Sequence, residues 1–134
     1  MSNETEKLTI NLGVVELAQI DILAERGIYS NRSDFIRTAI RKHLENYNDK
    51  IESALTPISK KKNLTKIIGI FTLSKKELEK LAKDGEMLNI SVIGMLIINN
   101  DINAKLFEDT VETVFLRGKL IAPKEIKKII DEMN

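Results

Sequence analysis

Between Lys7 and Leu12 the side chains alternate strictly. Leu8, Ile10 and Leu12 point one way, and Lys7, Thr9 and Asn11 point the other. This pattern predicts a short strand, closed by Gly13. The period then lengthens: Val14, Leu17, Ile20 and Ala24 share one face of a helix expected over about residues 14–25. Gly27 is its stop, with Arg26 in the last turn to complement the helix dipole. After the break from Arg26 to Ser30, a second helix carries the stripe Phe35, Ile36, Ala39, Ile40, Leu44 and Tyr47. Ser30 is its candidate N-cap, and Ser33 or Asp34 can serve the first-turn amides. The helix is expected to continue through Ile51 to about Leu55. Arg37 and Arg41 sit away from the stripe, and Arg41 can pair with Glu45 one turn on. Neither a six-residue strand nor two short helices are stable alone. The pattern therefore asks for a second copy that pairs its strand alongside.

The composition changes at Thr56 to Asn63, where Pro57, a polar pair and Lys60, Lys61 and Lys62 interrupt the helical period. The lysines read as a solvated linker, with contact to a phosphate backbone as the alternative. Beyond it the chain repeats itself. Gly69, Gly94 and Gly118 each interrupt a strand-like apolar run, at spacings of 25 and 24 residues. Twelve residues after each glycine lies Leu81, Leu106 or Ile130, in helices expected at about 75–84, 102–110 and 123–132, with Ser74 and Pro123 as starts. The last two units also fit a leucine-rich-repeat frame, aligning Met87, Ile90, Val92 and Ile97 with Val111, Val114, Leu116 and Ile121. Met95 and Lys119 occupy its usual Asn position, a departure from that frame. The expected class is α+β. It comprises a flexible tail at 1–6, a strand–helix–helix domain at 7–55, a linker at 56–63 and a β/α repeat domain with parallel strands at 64–134, serving oligomerisation or regulation.

Composition narrows the function. With 134 residues the chain suits one domain or two small ones, and 43% apolar against 31% charged residues argues against disorder throughout. Having no cysteine, it can build no disulfide framework, thiol nucleophile or thiolate metal site. His43 is the single histidine and reads as a helix-surface or dimer-interface residue, since a metal needs several ligands. The longest apolar run, Val92 to Ile98, is far short of the roughly 20 residues that span a bilayer. The polar, acidic start is unlike a signal peptide, so a cytoplasmic protein is expected. No nucleophile–base pair, phosphate loop or metal motif is evident, which argues against an enzyme and against a bound cofactor. Net charge is +1, and residues 1–50 hold seven Lys/Arg against eight Asp/Glu. Any affinity for nucleic acid must come from where the charges sit and not from their sum.

Residues 7–47 resemble a ribbon-helix-helix domain, the class of the MetJ and Arc repressors and the CopG-type regulators. The resemblance rests on the alternating strand, on Leu17, Ile20 and Asp21, and on the run from Tyr29 through Ser33, Asp34, Phe35, Ile36 and Arg37 to Ala39 and Ile40. One departure is Gly13, where such domains often carry Pro. The resemblance implies an intertwined homodimer whose paired strands enter the major groove of double-stranded DNA. By position, Lys7, Thr9 and Asn11 would read bases. Ser30, Asn31, Arg32 and Ser33, at the start of the second helix, would bind phosphate.

Taken singly, each feature has an ordinary reading: a solvent-facing edge, an N-cap, surface arginines. The conjunction favours a sequence-specific DNA-binding transcriptional regulator acting as a repressor, with residues 64–134 as the part through which any higher oligomer would form. The alternatives are an antitoxin whose C-terminal part wraps a toxin, and a protein-interaction scaffold dimerised by the N-terminal module. Nickel sensing, which regulators of similar length perform, fails here for want of ligands.

Overall fold

A computed structural model describes residues 5–55 and 62–133. Its elements run α1 (Val14–Glu25), α2 (Arg32–Glu45), α3 (Asn48–Ala54), β1 (Leu64–Leu73), α4 (Lys75–Asp84), β2 (Leu88–Ile98), α5 (Ala104–Thr110), β3 (Val111–Ile121) and α6 (Lys124–Met133). The described residues are thus α+β, with six helices and a three-stranded parallel sheet. Two compact units divide after Lys50, within α3. The expected linker falls largely at residues 56–61, which lie outside the described residues, as does the expected tail from Met1 to Glu4.

In the first unit, α1 has the bounds its periodicity predicts, while the second helix is shorter than expected. It stops at Glu45, the chain turns at Asn46 and Tyr47, and α3 restarts at Asn48. The amides of Asn46 and Tyr47 bond back only three residues, to the carbonyls of His43 and Leu44. That tighter turn ends the α-helical ladder. Ile20 is the buried residue of α1, whereas α2 buries none fully. Residues 5–13 pair with no strand among the described residues. The expected strand is therefore absent from the single chain.

The second unit is built on strand–helix repetition. β1 pairs with β2 and β2 with β3, both parallel, with Gly69, Gly94 and Gly118 side by side in one row. Parallel neighbours require crossover connections, supplied by α4 and α5. Ser74 caps α4 as expected, its hydroxyl accepting from the Glu77 amide at 3.4 Å. α5 begins two residues later than its pattern suggested. Asn103 caps it, its side-chain oxygen accepting from the Leu106 amide at 2.8 Å. The helices cover one face of the sheet. Leu78, Phe107, Ile126 and Ile130 pack on Leu73, Ile90, Val92, Leu96, Ile98 and Val114, forming an aliphatic core around one phenylalanine. The leucine-rich-repeat frame survives in part. Ile90, Val92 and Ile97 lie beside Val114, Leu116 and Ile121, but a register shift at Leu88 and Asn89 displaces Met87 from Val111.

The glycine row has a steric cause. All three glycines adopt φ between +135° and +139°, where L side chains are strained. A Cβ on Gly94 would lie 2.1 Å from the Gly69 carbonyl oxygen, and one on Gly118 would lie 1.8 Å from that of Gly94. Each backbone oxygen thus fills the space a side chain would need.

On the opposite face, the N-terminal end of the sheet is polar and fully bonded. Ser91 Oγ donates to the Leu55 carbonyl at 2.8 Å. Asn89 donates through Nδ2 to the Lys62 carbonyl at 2.8 Å and to Glu112 Oε2 at 3.0 Å, and accepts from Thr113 Oγ1 at 2.5 Å. These bonds explain how Asn89 and Ser91 tolerate near-complete burial. Further along the same face, Ile68 and Ile70 remain half exposed.

Candidate nucleic-acid interface

The candidate interface is formed by residues 5–13 and the start of α2. Lys7, Thr9 and Asn11 are exposed. On the alternate positions Leu8 is 82% and Ile10 56% exposed, an unusual state for aliphatic side chains in a folded chain. Gly13 then supplies the α1 N-cap with φ −63° and ψ 146°, its carbonyl accepting from the Leu17 amide at 3.0 Å. Ordinary extended geometry suffices there, and the φ is one proline also adopts.

The connection between the helices is rigidly specified. Gly27, at φ +74°, lies past the end of α1; its amide bonds the Ala24 carbonyl and the Ile28 amide bonds that of Leu23, each at 3.0 Å. This is the paired closure that a left-handed glycine permits. Tyr29 meets Phe35 edge to face, with ring centroids 5.0 Å apart.

The cap of α2 differs from the sequence expectation. Asn31, not Ser30, is the N-cap: its side-chain oxygen accepts from the Asp34 amide at 2.8 Å. Asp34 reaches back in turn, and its Oδ2 accepts from the Ser30 amide at 3.0 Å. Asn suits the role because its short side chain reaches the N3 amide from extended backbone. The amides of Arg32 and Ser33 have no acceptor within the chain among the described residues. They lie where the helix dipole favours an anion.

Arg32 is engaged elsewhere. Its Nε lies 2.7 Å from Asp21 Oδ1, and a second guanidinium nitrogen donates to Oδ2 at 2.9 Å, a two-pronged pair that links α1 to α2. The hydrogen bond from Arg32 holds the Asp21 carboxyl below its ordinary value, and the same bond raises the Arg32 guanidinium. Sequence reasoning missed this partnership, because eleven residues across a turn give no periodic signal. The expected Arg41–Glu45 pair does not close, and both side chains stand in solvent. His43 packs edge to face on Tyr47 at 5.4 Å. Of the lysine run, Lys60 and Lys61 lie outside the described residues.

Two groups of candidate residues therefore stand on the surface of the first unit, Lys7, Thr9 and Asn11 on one segment and Ser30, Asn31, Arg32 and Ser33 on another. No hydrogen bond or ion pair joins them within the chain. Between their elements lies an open groove of about 390 Å³ lined by Ile10, Leu12, Leu23, Phe35, Ile36 and Ile40.

A model of the ribbon-helix-helix transcriptional regulator family matches residues 3–127, and the chain belongs to that family. The match runs well past the strand–helix–helix segment and includes all three sheet strands, so the C-terminal unit is part of what the family model describes. Searches among curated proteins and among solved structures found no match. The family is one of DNA-binding regulators and not normally of enzymes. No helix among the described residues is long and apolar enough to cross a membrane.

Proposed function

We propose that the protein is a homodimeric, sequence-specific repressor acting in the cytoplasm, reading double-stranded DNA with a two-stranded ribbon made of residues 7–12 from each protomer. The observation that carries this reading is the uncovered apolar surface of the first unit. Leu8, Ile10, Val14 and Val15 are more than half exposed, and the groove beside α2 is open. A second copy laying its own Leu8, Ile10 and Leu12 there would complete the core. Pairing the two segments would turn Lys7, Thr9 and Asn11 outward on one face.

The chemistry of that face suits base edges. Lysine donates to guanine O6 or N7, asparagine pairs with adenine through two bonds, and threonine bonds an edge or touches a thymine methyl. The start of α2, with the free amides of Arg32 and Ser33 and the Ser30 and Asn31 side chains, would seat a phosphate and fix the register. Arg32 contributes there by exchanging one carboxylate contact on Asp21 for phosphate. On this reading residues 7–55 form the DNA-binding and dimerisation domain and residues 64–134 the oligomerising or regulatory one.

The test is a selection of bound duplexes from random sequence, followed by titration of the selected site at several salt concentrations. Asn11→Ala and Thr9→Ala should each weaken the selected site by about 1–3 kcal/mol per lost base contact and leave non-sequence-specific binding in place. A folded dimer that binds no duplex at low salt would refute the proposal.

A further inference from the structure

We propose that the sheet of the second unit is extended by another copy of this chain, β3 of one protomer lying parallel to β1 of the next, with Gly118 beside Gly69. The glycine row carries the inference. Gly94 leaves room for the Gly69 carbonyl, and Gly118 leaves room for that of Gly94. Gly69 has the same backbone, at φ +139°, yet nothing lies within 4 Å of the place its Cβ would take. That place, on the outer side of β1, is shaped for a third carbonyl. By the same repetition Gly118 turns its own carbonyl to the outer side of β3. Among the described residues no strand covers either outer edge, and the two edges are the two halves of a junction the sheet already makes twice, glycine beside glycine both times.

The character of β1 supports it. Free edge strands are normally blunted by short length, inward charge, proline or a bulge. β1 has ten residues, pairs with β2 without a register shift, and contains one charged residue, Lys66, beside Ile67, Ile68, Ile70 and Phe71. Such an edge fits cover by a strand better than exposure to water. The chosen register also suits the side chains: Arg117 falls beside Ile68, Lys119 beside Ile70 and Ile121 beside Thr72. The cations of β3 then lie along aliphatic neighbours and not against each other. Antiparallel β1–β1 pairing would leave the carbonyl side of Gly118 unused. The contact is heterologous, so it can link several copies or close a ring, and it does not depend on the N-terminal ribbon.

Cysteine cross-linking of the full chain tests it, because the natural sequence has no cysteine. Thr72 and Ile121 lie in one row of the sheet, separated by Ile97. Two strand spacings, about 10 Å, exceed the roughly 7 Å limit for a disulfide, so the bond cannot form within one chain. Between copies the two positions would be one spacing apart. The double variant Thr72→Cys with Ile121→Cys should give covalent oligomers on mild oxidation, many-fold more than either single variant. Ile70→Cys with Lys119→Cys is the second pair should the first fail to melt cooperatively. Cross-linking of Thr72→Cys alone as efficient as the double variant would mean β1 pairs with β1 and would overturn the proposal. So would the absence of oligomers from a folded double variant. DNA binding by the same proteins reports separately on the N-terminal reading.

Discussion

Replacing Gly94 by alanine and, separately, Gly69 by alanine distinguishes two costs that usually come mixed. The φ values are +135° and +139°, so both variants pay about the same backbone strain, roughly 1–3 kcal/mol for an L residue in that region. Only Gly94→Ala also drives a Cβ to 2.1 Å from the Gly69 carbonyl oxygen. Backbone must move to relieve it, in the centre of a three-stranded sheet, and overpacking of that kind costs about 1–3 kcal/mol more. Gly118→Ala, at 1.8 Å from the Gly94 oxygen, belongs with Gly94→Ala. Urea unfolding of the full chain, followed by circular dichroism at low micromolar protein, would measure the three losses. The expected order is Gly69→Ala clearly smallest, with the other two larger by at least the overpacking increment. Equal losses for all three at that dilution would refute the steric account and leave the backbone angle as the whole cause. At concentrations where copies associate through β1, the Gly69→Ala loss should grow, because the vacant place is then filled.

Gly13→Pro should stabilise the first unit by about 0.4–1 kcal/mol, since Gly13 already has φ −63° and proline narrows the unfolded ensemble; a lower melting temperature would show that its amide is needed. The Asp21–Arg32 pair predicts an acid-sensitive link between α1 and α2. The Asp21 carboxyl is held low by the bond from Arg32, so its contribution is present above the ordinary aspartate range, near pH 4, and fades as pH falls below it. Asp21→Asn should flatten that part of the stability profile, and an unchanged acid slope would remove the pair from the account. In the same variant the freed Arg32 should strengthen salt-sensitive duplex binding, read as a steeper dependence of affinity on salt.

Much of this was written in local pattern. The bounds of α1, the Gly27 stop, the Ser74 cap and the spacing of three glycines follow from side-chain period and from the few residues that tolerate unusual backbone. Those are properties of a residue and its near neighbours, so the sequence states them directly. The family resemblance likewise rested on contiguous residues, and the family match covers them. The break at Asn46 and Tyr47 was less legible, because the apolar stripe continues through it and periodicity does not register a turn that tightens.

The tertiary structure decided what depends on distance in space. That Asp21 holds Arg32, that Asn31 outcompetes Ser30 as cap, and that Asn89 ties Lys62 to Glu112 and Thr113 are choices among several partners a residue type permits. The glycines show the division most clearly. Sequence placed them at regular intervals inside strands, where a missing side chain signals close approach without saying to what. Only the parallel register showed that Gly94 and Gly118 each meet the previous one's carbonyl, and that Gly69 meets none among the described residues.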